Sequence, residues 1–314
     1  MSQGPVHGPA RGPVREDSLA RLATTWLGGP LGTHARSGGS WWTPLTVLFL
    51  VTTAVFALGI VQKAPCVEVG YAAQQDEPGY EWRRTERGWN PGVEGWDDRG
   101  HSYRHLCYSD VAYLYRERGF ADGNVAYLDV GGYPALEYPV LTGLVMQVTA
   151  WATQAIGTGR AIADSTVFFG LTVLVLFGFA LLTVGLMRRI APDRPYDALF
   201  VAAAPTFALS GTINWDLVAV ALTVAALFAW SRHRPVWTGI LIGLGAATKL
   251  FPLFLLGPLL ILAMRTRRMA IWAATALAAV ATWLVVNLPI YLVQPGSWGV
   301  FWSFNEARGA DFGS

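Results

Sequence analysis

The residues of this 314-residue chain that could do chemistry are few and far apart. Asp110 closes the run Cys107-Tyr108-Ser109-Asp110, and Glu137 opens Glu137-Tyr138-Pro139. Asn214 and Asp216 share one short turn, Lys249 stands in an otherwise apolar stretch, and Glu306, Arg308 and Asp311 fall near the end. A carboxylate can take the proton of an attacking hydroxyl, and cations can hold a phosphate whose negative charge grows as it leaves. Brought to one place, these groups would suit a lipid-phosphate substrate.

The elements that must gather them belong to a membrane protein. The sequence is 53% hydrophobic and 14% charged, whereas a soluble domain carries about a quarter charged residues. Between Tyr138 and Asn305 the only acids are Asp164, Asp193, Asp197 and Asp216. Such long charge-free runs rule out two soluble domains of ordinary length. A net charge of +2 gives no case for nucleic-acid binding. The predicted fold is therefore an all-α polytopic membrane protein of about seven transmembrane helices, with a large first exterior loop that carries juxtamembrane helices.

Residues 1–40 read as a disordered cytoplasmic tail rich in Gly and Pro, and 41–62 as the first span, announced by Trp41 and Trp42 and closed by Lys63. Residues 63–165 read as an exterior loop, 166–292 as six further spans, and 293–314 as an exterior C-terminal segment. Three clusters punctuate the apolar runs: Arg188/Arg189/Arg194, Arg232/Arg234 and Arg265/Arg267/Arg268. Placing all of them in the cytoplasm satisfies the positive-inside rule and puts the turns Thr212–Asp216 and Thr248–Pro252 outside. It also requires segment 137–156 to lie at the outer interface and not cross. The stretch 236–263 is too short for two full spans at about 1.5 Å per residue. It is predicted as two short helices meeting at Thr248–Pro252, with Lys249 at membrane depth, where an unpaired cation costs about 2.5–3.5 kcal/mol.

Each residue also has a plainer reading. Asp110, Asn214 and Asp216 suit helix starts, where caps and anions are favoured. Glu137 suits a solvated interfacial acid, Lys249 could snorkel to headgroups, and Arg308 could bind any anionic headgroup with Asp311 as its ion-pair partner. Trp298, Phe301 and Trp302 suit an interfacial belt. Cys66 and Cys107, in an oxidising compartment, would either bridge the loop or stand as two thiols. His101 and His105 lack a third ligand, so no metal site is predicted.

Several motifs resemble glycosyltransferase family 87, of the GT-C type. Cys107-Tyr108-Ser109-Asp110 with Tyr113 is similar to the first-loop acidic motif, and Glu137-Tyr138-Pro139 to a signature after that loop. Gly211-x-x-Asn214, Gly243-x-Gly245-x-x-Thr248-Lys249-x-x-Pro252 and Phe304-Asn305-x-x-Arg308-Gly309 resemble later motifs. The resemblance implies a GT-C-like helical bundle in the plasma membrane that transfers a hexose, mannose foremost, from a polyprenyl-phosphate sugar to a glycolipid or glycan acceptor, with inversion. Asp110 would be the general base, Lys249 and Arg308 would hold the donor phosphate, and Glu137, Tyr138, Asn214, Asp216 and Asp311 would contact substrate. Membrane lipids are the other implied partners. No cofactor is implied, and a role for a divalent cation is left open. Chains of this kind continue through further spans after the Asn-x-x-Arg-Gly segment, so the resemblance also implies a shortened chain. The rival readings are a flippase or transporter of lipid-linked sugars and a non-catalytic membrane partner.

Overall fold

Apolar length, proline position and close-packed glycines decide the architecture. The computed structural model describes residues 42–75, 82–85, 88–91, 106–128, 132–157 and 161–307. The chain runs through α1 (Pro44–Gln75), a hairpin of β1 (Trp82–Thr85) and β2 (Gly88–Pro91), α2 (Asp110–Glu117), α3 (Val140–Ile156) and α4 (Ala161–Ile190). It continues through α5 (Leu199–Ala202), α6 (Pro205–Ser210), α7 (Asp216–Ser231), α8 (Pro235–Ala246), α9 (Leu256–Arg265), α10 (Met269–Val293) and α11 (Pro295–Ala307). The hairpin is antiparallel, with Trp82 opposite Pro91, and is the one departure from an all-helical chain among the described residues. The molecule is an α-helical membrane protein.

Among the described residues, three stretches are long and apolar enough to cross a membrane: Pro44–Ala64, Asp164–Ile190 and Met269–Val293. The other predicted spans are shorter or broken. α7 has 16 residues, α8 has 12 and α9 has 10. Within the region 166–292 read as six spans, the apolar run 197–213 is split into α5 and α6, because Pro205 forces Ala204 into an extended conformation at φ −63°, ψ 128°. It still follows α1: Ala198 and Ala202 pack on Leu48, and Ala208 sits against Gly59. The 236–264 region does form two short helices, with the turn Thr248–Pro252 between α8 and the 3-10 turn Phe251–Leu255 that leads into α9. α1 runs past its predicted end, through a buried Lys63 whose ammonium donates to the Leu106 carbonyl at 3.0 Å.

α8 packs against α7 and α10, α7 against α4, and α4 against α2 and α3. The α8–α10 contact depends on Gly239 and Gly243, since a Cβ at either position would collide with the carbonyl oxygen of Thr275 or Ala279. The helix ends therefore sort to two poles. One holds α2, the starts of α4 and α7 and the end of α8; the other holds Arg188, Arg189, Arg232, Arg234, Arg265, Arg267 and Arg268 at helix ends and turns. α3 begins at the first pole, where Leu141 N–H donates to Ala247 O at 2.8 Å. Its last turn abuts the 3-10 turn that follows α2, with Gln154 Nε2 donating to Phe120 O at 2.7 Å.

Candidate active site

α2 begins in a way that leaves its first carboxylate available. Ser109 is extended (φ −153°, ψ 129°) and caps the helix, its Oγ accepting from Val111 N–H at 3.3 Å. The same hydroxyl donates to Thr212 O at 2.8 Å, and Asp110 N–H donates to Ile213 O at 2.8 Å. Ser109 thus fills the cap that Asp110 was otherwise suited to. The Asp110 carboxylate instead accepts two phenol hydrogen bonds, from Tyr108 to Oδ1 and from Tyr138 to Oδ2, the latter at 2.7 Å. Tyr138 lies edge-on to the buried Trp215, with ring centroids 5.7 Å apart. Burial first, and then the neighbouring Asp110 charge, raise the Tyr138 phenol well above its ordinary range. It therefore serves as a donor, not a base.

The strand of contacts through Thr212 and Ile213 leads directly to the second charged group. Asn214 Oδ1 accepts from Asp216 N–H at 3.0 Å, fixing the turn that starts α7. Lys249 Nζ donates to both Asp216 oxygens, at 2.7 and 2.8 Å, with both side chains about two-fifths exposed. Lys249 is held there because its segment is stitched to α3: Thr142 Oγ1 donates to Thr248 O at 2.8 Å, beside the Leu141–Ala247 bond. Asp110, Tyr138, Asn214, Asp216 and Lys249 are thereby brought to one pole. Lys249 is thus paired, and a cation with three N–H groups keeps one to offer a ligand while two engage Asp216.

Glu137 points elsewhere. Its Oε2 accepts from Arg118 Nε at 2.9 Å and lies 2.7 Å from Nη2, while Arg118 Nη1 reaches Glu117 at 3.0 Å. All of these side chains are largely buried. Burial opposes the Arg118 charge, but Glu137 and Glu117 outweigh it and hold the guanidinium more firmly protonated than usual. Behind this cluster the buried Tyr127 hydroxyl bridges the carbonyl oxygens of Tyr138 and Pro139, at 2.9 and 2.8 Å. Gly143 makes room for that phenol, which any Cβ there would strike.

The remaining predicted residues are spread more widely. Arg308, Asp311, His101 and His105 lie outside the described residues. Glu306 is exposed on α11. Cys107 is buried and disulfide-bonded, and Cys66 is the chain's only other cysteine. Trp298 donates its indole N–H to Asn287 Oδ1 at 3.0 Å and packs among Trp283, Tyr291 and Trp302. Among the described residues, no group of three or more His, Cys, Asp or Glu could hold a metal ion.

Residues 136–308 match Glycosyltransferase family 87. The chain belongs to that family. No curated protein and no solved structure matches it. This family 87 membrane glycosyltransferase thus carries Glu137, Tyr138, Asn214, Asp216 and Lys249 inside the matched region, while Asp110 and Tyr108 lie upstream of it. Sequence reasoning left Tyr108, Ser109, Arg118 and Tyr127 without roles. Tyr108 sits two places from Asp110 and was legible as a neighbour. The Arg118–Glu137 pair and the Tyr127 bridge join positions 19 and 11 or 12 residues apart across a loop, and no periodicity encodes such contacts.

Proposed function

We propose that this glycosyltransferase moves a hexose, specifically mannose, from a polyprenyl-phosphate donor to a hydroxyl of a cell-envelope glycan or glycolipid, with inversion, at the exterior face of the plasma membrane. The observation that carries this reading is the Asp110 carboxylate, oriented by two phenol donors and set at the same pole as Lys249. Asp110 accepts the proton of the acceptor hydroxyl as that oxygen bonds to the anomeric carbon. The bond from that carbon to the phosphate oxygen breaks, and polyprenyl phosphate departs with an added negative charge. Lys249 offsets the charge, and Arg308, the last residue of the family match, is the second cation. Asp216 holds Lys249 in position and Tyr138 holds Asp110. Preorganised charge of this kind is the largest lever available to a transferase that binds no nucleotide.

The test is transfer of labelled mannose from polyprenyl-phosphate mannose in membranes holding the full chain, with the anomeric configuration of the product read by NMR. Asp110→Asn is expected to abolish transfer with insertion and expression unchanged. Full transfer by that variant, or a product of retained configuration, overturns the reading. Passage of the lipid-linked sugar across sealed vesicles without transfer makes the protein a transporter instead.

A further inference from the structure

One buried cation takes no part in the chemistry above. Lys63 sits near the end of the apolar part of α1 and is 1% exposed, so it does not snorkel to water or headgroups. Its ammonium donates to the Leu106 carbonyl at 3.0 Å, across 43 residues of sequence. Burying an ammonium costs more than one neutral acceptor returns. Stability alone therefore does not account for the contact.

The carbonyl it holds belongs to a turn that the sequence does not favour. Leu106 adopts φ +54°, the left-handed region that residues other than Gly rarely take. Its side chain is exposed, so packing of that side chain does not impose the turn. A second tie falls beside the first. Cys107 is disulfide-bonded, and Cys66, the only other cysteine, follows Lys63 by three positions on α1, about one helical turn. A disulfide fixes where a side chain ends and leaves the neighbouring peptide free to rotate, whereas the ammonium fixes the peptide itself. Further along, Ser109 and Asp110 are anchored to the carbonyls of Thr212 and Ile213. Tyr108 lies between the two anchors, and its phenol donates to Asp110 Oδ1. A contact between residues two apart in an extended segment depends on the course of the backbone that joins them.

We propose that Lys63 is a positioning residue for the Asp110 base. Its ammonium fixes the peptide between Leu106 and Cys107, that peptide sets the course of the chain to Ser109, and the course aims the Tyr108 phenol at Asp110. The inference rests on the transferase reading, in which Asp110 takes the acceptor proton, and extends the site inward to α1. Buried as it is, Lys63 touches neither donor nor acceptor. Its loss therefore acts on kcat through Tyr108 and not on substrate binding.

The experiment uses the full chain purified in detergent, with polyprenyl-phosphate mannose as donor and the methyl α-glycoside of mannose as acceptor. Lys63→Met keeps most of the side-chain length and removes the donor, and Tyr108→Phe removes only the phenol hydroxyl. Each should lower kcat by about tenfold with both KM values unchanged. The double variant should be no slower than the slower single one, because both substitutions break the same contact. Losses that multiply, or a kcat for Lys63→Met equal to the parent's, overturn the proposal. Leu106→Pro cannot take a positive φ and breaks the same turn with Lys63 in place, so it decides the matter if Lys63→Met does not fold. It should reproduce the tenfold loss, and a parental kcat overturns the proposal. Hydrogen exchange of the amides of residues 107–111 separates this from the transferase reading. Faster exchange there in Lys63→Met or Leu106→Pro, beside a parent that transfers no sugar, upholds the tether and sinks the transferase. Exchange and kcat both at parental values in an active enzyme sink the tether alone.

Discussion

Asp110 and Glu137 are carboxylates in neighbouring segments of one loop, and both were expected to meet substrate. Their surroundings differ in kind. Asp110 is held by two neutral hydroxyls, and no cation among the described residues pairs with it. Glu137 is locked against a buried guanidinium that also serves Glu117. Hydrogen bonding by neutral donors orients a carboxylate and leaves it able to accept a proton. Full ion pairing in a dry setting turns the same group into an anchor. The difference teaches that an acidic residue in a motif is assigned by what it faces, not by its place in the motif.

The largest effect should come from removing the Asp110 carboxylate. Asp110→Asn keeps both oxygen-sized atoms and the α2 start, yet cannot take a proton. Loss of a positioned general base costs about 10²–10⁴ in rate, so kcat should fall by roughly a thousandfold with the thermal midpoint in detergent nearly unchanged. A fall of less than about threefold would place Asp110 with Glu137 as a structural acid. Glu137→Gln should behave the opposite way. Breaking a buried pair on one side costs about 3–5 kcal/mol, so the variant should unfold earlier while each surviving folded molecule retains most of its kcat. A stable Glu137→Gln with dead chemistry would reverse the comparison.

Lys249 offers a middle case, because its pair with Asp216 is half-exposed. Such pairs contribute about 0–1 kcal/mol to stability, so Lys249→Ala should scarcely move the unfolding transition. Donor KM should rise by about tenfold, since one charge-assisted bond to phosphate is lost. An unchanged donor KM, measured at fixed acceptor, would make Lys249 a helix-junction residue.

The fold was legible where apolar runs are long or charge marks their ends. α4 and α10, the α8–α9 break at Pro252 and the gathering of Asn214, Asp216 and Lys249 at one pole follow from hydropathy, proline and the arginine clusters. The break at Ala204–Pro205 was written in the proline, but an apolar run on both sides disguised it as one span. Partner choice was not legible. Whether Glu137 faces Asp110 or Arg118 depends on how a loop closes, and a loop carries no period from which contacts can be counted. The same holds for Tyr127, whose bridge to Tyr138 and Pro139 needs the absent side chain of Gly143.

The smallest expected effect concerns the donor on the Asp110 side of the comparison. Burial, reinforced by Asp110, raises the Tyr138 phenol well above its ordinary value near 10. At any pH below about 10 both folded and unfolded chains keep that proton, so Tyr138 adds no pH dependence there. Above that, the unfolded phenol ionises while the folded one does not, and stability must fall as pH rises. Tyr138→Phe removes this slope, so its thermal midpoint should decline less than the parent's between about pH 9.5 and 11. Asp110→Asn should keep most of the slope, because burial is the larger cause and persists without the charge. If Asp110→Asn erases the slope as completely as Tyr138→Phe does, the carboxylate, not burial, governs the phenol, and the two residues form one coupled unit instead of an oriented base with a passive donor.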